Sequence, residues 1–420
     1  MLAIARAVAL CCLGAPWIAG EKARAGAPGP EVLLVGQSDP ALDVPAVQAA
    51  VSAGGTVALS GVFDFGATGR VVLTRDVRIV GRRGAVVRGG QSSFLSPLPP
   101  LPVARPGPAI AITHLTLEGA TYTPIHIGYA SSVEVSHNTI RSVVPRFNPA
   151  LGFSAHAGVV VGTYSMLPPA VVPGAITGRV SIRHNAIEMS TPAPAATLCE
   201  GVFVNRTWGA QVRITGNTIS DCARNSIETL DNHRDPAGDG GIEISHNWLR
   251  SQSVGVAWPN PFRPNGIVAG WFFDPTGAID PARNAPYRIS ENRIDLEGAE
   301  ATGIFAPTSG AVIDENRIAI AGANARGIVL GASDGLLAEN DLAGSGRYAI
   351  DITPFYAAFP SVVADRNTVA CNDVSRFQAG IADLHLAGND NTVMGFAGTV
   401  LDTGTGNQVV GGSGCERECD

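Results

Sequence analysis

The chain has 420 residues, 29 basic and 36 acidic side chains and a formal charge of −7; this acidic balance argues against a nucleic-acid partner. Its 50 glycines, 29 prolines and 45% apolar residues leave little room for long helices and much for turns, with enough apolar side chains for a large core.

In chain order, residues 1–25, "MLAIARAVALCCLGAPWIAGEKARA", read as a signal peptide: an early Arg, an apolar run and an Ala-Arg-Ala sequence before Gly26. The expectation is a secreted or periplasmic protein. Removing this segment takes three basic residues and one acidic residue, leaving a formal charge of −9, and it takes Lys22, the only lysine. No other stretch is long and apolar enough to span a bilayer. Residues 26–56 form an N-terminal segment in which "LDVPAVQAAVSAGG" predicts a helix opened by Asp43, with Pro45 in its first turn and a Gly stop. Such a helix would cap the first strands of the region beyond it.

From residue 57 to residue 411 the apolar pattern has the period of strands, as in Ile242-Glu243-Ile244 and Ile328-Val329-Leu330. One phrase recurs through it: "VEVSHNTIRS" at Asn138, "VSIRHNAIEM" at Asn185, "IEISHNWLRS" at Asn247, with weaker copies at Asn217, Asn292, Asn316, Asn340, Asn367 and Asn391. The last steps are 24, 24, 27 and 24 residues, which indicates coils of about 24 residues with insertions in the middle of the chain. The expected class is all-β: a solenoid with one Asn per coil. Asn tolerates a left-handed backbone and can bond backbone groups in a turn, so these residues form a ladder, and His137, His184 and His246 are turn residues rather than metal ligands.

On these repeats, from Val57 to Gly411, the chain resembles the right-handed parallel β-helix superfamily that includes pectate lyases and related glycan enzymes. The resemblance implies that fold and a polysaccharide or oligosaccharide as partner.

Stacking the coils gives two outward columns. The residues four before each Asn are Glu134, Ser181, Arg213, Glu243, Arg288, Val312, Leu336 and Val363, a salt-bridge ladder with an apolar C-terminal end suited to a homo-oligomer contact through the last coils. The strand opening each new coil gives His126, Val160, Phe203, Glu228, Val268, Phe305, Val329, Asp351 and Ala382. Glu228 is the anomaly. Between Phe203 and Val268 its carboxylate would be stripped of water, a setting that suits a general acid.

Long connections leave both edges of these strands between Asn138 and Asn292, which makes walls for a groove. Four of the five Trp fall between positions 208 and 271. The candidate substrate-binding residues are His126, Phe203, Asn205, Arg206, Trp208, Trp258, Arg263 and Trp271, flat rings and hydrogen-bond donors suited to sugar. The candidate catalytic residues are Glu228, Asp231, His233, Arg234 and Asp239, in "ARNSIETLDNHRDPAGDGG". Three chemistries stay open. Glu228 with Asp231 or Asp239 forms a carboxylate pair for glycoside cleavage or intramolecular transfer. His233 or Arg234 is a base for β-elimination or epimerisation at a uronate. Asp231, Asp235 and Asp239 are oxygen ligands for calcium, in a spacing that matches no standard loop, so no cofactor is expected otherwise. Loss of Lys22 excludes a lysine base, and the acidic charge favours a neutral glycan over a polyuronate. The alternative is a non-catalytic β-helix that binds a surface polysaccharide or assists periplasmic assembly.

Family signatures add little. Asp235-Pro236 is followed by Ala237 rather than the His of mannuronan epimerases. "NTISDCARNSIE" is similar to one coil of the inulin fructotransferases, too short a match to carry residues over. Cys199 and Cys222, one coil apart, are placed to stack at disulfide distance, and Cys415 with Cys419 to close the tail at 412–420.

Overall fold

The computed structural model describes residues 31–99, 103, 105–148, 153–163, 175–189, 197–222, 224–234, 240–251, 265–271, 284–354 and 362–411. The chain winds as a three-sided, right-handed parallel β-helix, the sense that twisted strands favour in parallel connections. One winding runs Gln211–Thr215 on the first face, Thr218–Ser220 on the second and Asn225–Leu230 on the third. The next repeats it as Gly241–Ser245, Trp248–Ser251 and Asn265–Trp271, each strand parallel to its predecessor.

The strict register explains the core. On the third face Val159, Val202, Ile227, Ile267, Ile304 and Ile328 lie directly over one another; the first and second faces carry equivalent columns through Ile214 and Ile219. These side chains are fully buried. β-branched residues are stiff and stack well on a pleated surface, so one apolar residue repeated per coil builds a continuous core.

The Asn ladder is present, and its geometry corrects the sequence reading twice. The left-handed residue is the one before each Asn: His137, His184, His246, Glu291, Glu315 and Glu339 all have φ between 53° and 58°. The bend turns the Asn side chain inward. Each Asn Oδ1 accepts the backbone N–H of the Asn one coil earlier, as in Asn247 N to Asn292 Oδ1 at 3.0 Å, and Nδ2 repeats the contact at 2.9 Å. His137 and His184 are exposed at the bend, their rings 5.2 Å apart.

Secondly, the single series of Asn is two ladders. Asn340 passes to Asn372, 32 residues on, at 3.0 Å. Asn367, Asn391 and Asn407 form a separate ladder at the other end of the first-face strands, level with Gly335. A spacing of 27 residues lies so near the coil length that Asn367 mimics the next rung. The outward column therefore continues from Leu336 to Thr368, not Val363, and the proposed apolar oligomer contact reduces to Val312 and Leu336. Within the column Glu243 meets Arg213 at 3.3 Å as expected, whereas Arg288 turns to Asp314 at 2.7 Å.

Helix α1 (Pro40–Ala53) starts before Asp43. Asp39 is its N-cap, accepting from Ala41 N at 2.9 Å. Asp43 lies within the first turn, 2% exposed, and accepts backbone N–H groups from Gln37, Asp39 and Asp64 at 2.8–3.1 Å. It ties the helix to the strands on either side, and Val47 and Val51 enter the core. Upstream, Glu31–Val35 pairs parallel with 56–60 and forms the N-terminal sheet edge.

Candidate functional site on the third face

The third-face register places the outward column as expected through His126, Val160, Phe203, Glu228, Val268, Phe305, Val329 and Asp351. The residue after Asp351 is His385, not Ala382. The column is apolar along most of its length, and with Ala157 and Leu230 it forms a second hydrophobic cluster distinct from the core. Phe203 is 1% exposed, so it is packing and not an open platform for a sugar ring.

Glu228 points out of the winding between Phe203 and Val268, as its alternation with the core residue Ile227 requires, yet only 2% of it is exposed. Its Oε2 accepts a short hydrogen bond from Asn225 Nδ2, and Asn225 Oδ1 accepts in turn from Asn265 Nδ2 at 2.9 Å. Asn225 stands level with Glu200 in the coil before, and Arg224 lies 3.6 Å from Glu200. All four of Glu200, Arg224, Asn225 and Glu228 are buried. The sequence reading missed Glu200 and Asn225 because neither breaks a local pattern; vertical stacking sets Glu200 level with Asn225, and Asn225 meets Glu228 three residues along its own strand.

Past the strand ends the same register continues around the corner and brings three cross-coil pairs together, two of them between candidate residues. Arg206 and Asp231 both adopt left-handed backbone, with Nε 3.9 Å from Oδ2. Burial pushes the Arg206 guanidinium down and the Asp231 charge opposes it. Thr207 donates through its backbone and its hydroxyl to Asn232 Oδ1 at 3.3 and 2.9 Å. The half-buried Trp208 ring stacks on His233 at 5.1 Å, and the two backbones are bridged. Arg234, next in the chain, is exposed.

Other candidates have structural duties. Asn205 uses both ends of its amide on Thr163, accepting from N and donating to O at 2.7 Å. Burial pushes the His126 pKa down to about 4, against the bond between Nε2 and Gly162 O at 3.2 Å. The ring is therefore neutral at pH 7 and Nε2–H donates to that carbonyl. Trp248 lies on the second face, away from the column, and donates to Asp295 at 3.1 Å. Asp235, Asp239, Trp258, Arg263 and the Trp271 side chain fall outside the described residues. With them fall the calcium reading and the Asp239 half of the carboxylate pair; among the described residues no three acidic, His or Cys side chains are grouped to hold a metal.

Cys199 and Cys222 stack as expected, with Sγ atoms 2.7 Å apart as thiols. Cys371 is disulfide-bonded, and its partner lies outside the described residues. No described helix is long and apolar enough to cross a membrane.

No family model matches the chain, and no curated protein is detectably similar to it in sequence. Among solved structures it is similar to the Azotobacter vinelandii mannuronan C-5 epimerase AlgE6 A-module, at 14% identity and TM-score 0.38 over 90% of this chain and 98% of that one. The tailspike protein of E. coli bacteriophage HK620, in complex with pentasaccharide, matches at 13% and 0.36 over 80% and 76%. DFA-IIIase from Arthrobacter chlorophenolicus A6, in complex with DFA-III, matches at 11% and 0.35 over 85% and 91%. Likenesses of this size assign no activity.

Proposed function

We propose that the protein is an exported carbohydrate-active enzyme that cleaves or rearranges a polysaccharide along the third face. The observation that supports this most is the run of cross-coil pairs beside Glu228: a charged pair, Arg206 with Asp231, then a stacked pair, Trp208 with His233. An indole, a guanidinium and a carboxylate at successive positions of one corner are the residue types that bind sugar hydroxyls and rings. Glu228 is the proposed acid, with Asp231 or Asp239 as nucleophile or base; in the elimination or epimerisation variant, His233 is the base and Arg234 holds the acid group.

Burial favours a second reading. Glu228 is 2% exposed and already bonded to Asn225, as a structural carboxylate beneath a non-catalytic glycan-binding surface would be. Wild type and Glu228→Gln incubated with neutral and uronic-acid polysaccharides separate the two. New reducing ends or unsaturated uronate absorbance from wild type alone support catalysis through Glu228, equal product from both proteins eliminates Glu228, and binding without product supports the binder.

A further inference from the structure

Four coils beyond Glu228 the same outward column carries a second polar cluster. Asp351 is 1% exposed. One of its oxygens, Oδ2, lies 3.3 Å from Arg326, and the other, Oδ1, lies 2.9 Å from His385 Nδ1 in the next coil. His385 Nε2 lies 3.2 Å from the hydroxyl of Thr403. The imidazole is stacked on Tyr348, with centroids 4.8 Å apart and planes at 20°, and Arg347 lies over the same Tyr348 ring at 5.2 Å. Asp351 and Tyr348 are buried, the His385 side chain is 16% exposed and Thr403 is exposed.

Each contact fixes one degree of freedom of the imidazole. The carboxylate accepts a hydrogen bond from Nδ1–H, so in the neutral ring Nε2 is an acceptor; the Thr403 hydroxyl proton has two acceptors within reach, Nε2 at 3.2 Å and Leu386 O at 3.3 Å, and the reaction uses the first. Tyr348 holds the ring plane. Arg326 alone would balance the charge of Asp351; a histidine held by the carboxylate and aimed at a surface hydroxyl is more than neutrality requires. A carboxylate that orients a histidine, which in turn faces a hydroxyl, is the arrangement that activates an oxygen nucleophile.

We infer that Asp351, His385 and Thr403 form a second site, one that cleaves carboxylic esters such as acyl groups on a sugar hydroxyl. Thr403 Oγ1 attacks the acyl carbon as its proton passes to His385 Nε2. The bond from the acyl carbon to the alcohol oxygen breaks, and the leaving oxygen takes that proton from His385. Water then adds to the acyl-Thr403 ester, giving its proton to His385, and the carboxylic acid leaves as the proton returns to Thr403 Oγ1. Asp351 holds the imidazole and balances its charge while it carries the proton.

The test uses the full chain and 4-nitrophenyl acetate, so it is independent of the glycan and of Glu228. Wild type should release nitrophenolate, and His385→Gln and Thr403→Val should each lower the rate by about a hundredfold or more, while Thr403→Ser, which retains a hydroxyl, should lower it far less. Mass spectrometry of the quenched wild type should find acetate on the peptide bearing Thr403. Thr403 is exposed, so its variants report chemistry even if His385→Gln folds poorly; circular dichroism checks both. A wild-type rate no greater than that of His385→Gln, or a Thr403→Val rate equal to wild type, overturns the proposal.

Discussion

Asn292 Oδ1 receives two hydrogen bonds from Asn247, from its backbone N–H at 3.0 Å and from Nδ2 at 2.9 Å, while Asn292 Nδ2 reaches Ile244 O at 2.8 Å. Asn247 and Asn292 are each 1% exposed, so these groups depend on one another for partners. Asn292→Ala should therefore destabilise the fold by about 1–3 kcal/mol through stranded donors and acceptors. Urea denaturation of the variant against wild type measures it; a midpoint within error of wild type would show that the ladder is ornamental.

Glu228→Gln keeps the volume and the contact with Asn225 but removes the acid. If Glu228 protonates a leaving group, turnover on the responsive polysaccharide should fall by about a hundredfold or more with the Km little changed. A fall in affinity alone would instead assign Glu228 to binding.

The depressed pKa of His126 makes an acid-limb prediction. Burial lowers it from 6.5 to about 4, so the folded state resists a proton that the unfolded chain accepts. Stability is fully present above pH 6.5 and declines as the pH falls toward 4, by about 3 kcal/mol at most. His126→Leu, flanked in its column by Leu95 and Val160, should flatten that decline. Denaturation midpoints between pH 7 and pH 4 test this, and an unchanged slope in the variant would remove His126 as the cause.

Burial raises the pKa of Cys222, and the adjacent Cys199 raises it further. As thiolate is the reactive form, neither thiol should react with a disulfide reagent at pH 8 until the protein is unfolded, when both are released. Rapid labelling of the native protein would contradict the buried placement.

Much of the third face was legible in the residues alone. The column from His126 to Asp351 follows from alternation and coil length, because a parallel register adds whole coils and preserves the side each residue faces. The bend and the last coils were not. The left-handed residue precedes the Asn, and the Asn340 to Asn372 step competes with the closer Asn367; both depend on how the backbone turns a corner, which residue spacing does not encode. His385 was hidden for the same reason: an irregular connection separates it from Asp351, and counting placed Ala382 there instead.

The sequence by itself determined the winding, the aliphatic columns and the outward position of Glu228, because each repeats locally once per coil. Only the tertiary structure decided which polar residues became partners: Glu228 with Asn225, Arg206 with Asp231, Trp208 with His233, and Asp351 with His385. Three of these pairs join residues in neighbouring coils that are 25 to 34 positions apart in the chain. Their contact depends on hydrogen-bonded strands a few ångströms apart closing each loop of chain to the same height, a distance that no local pattern in the residues contains.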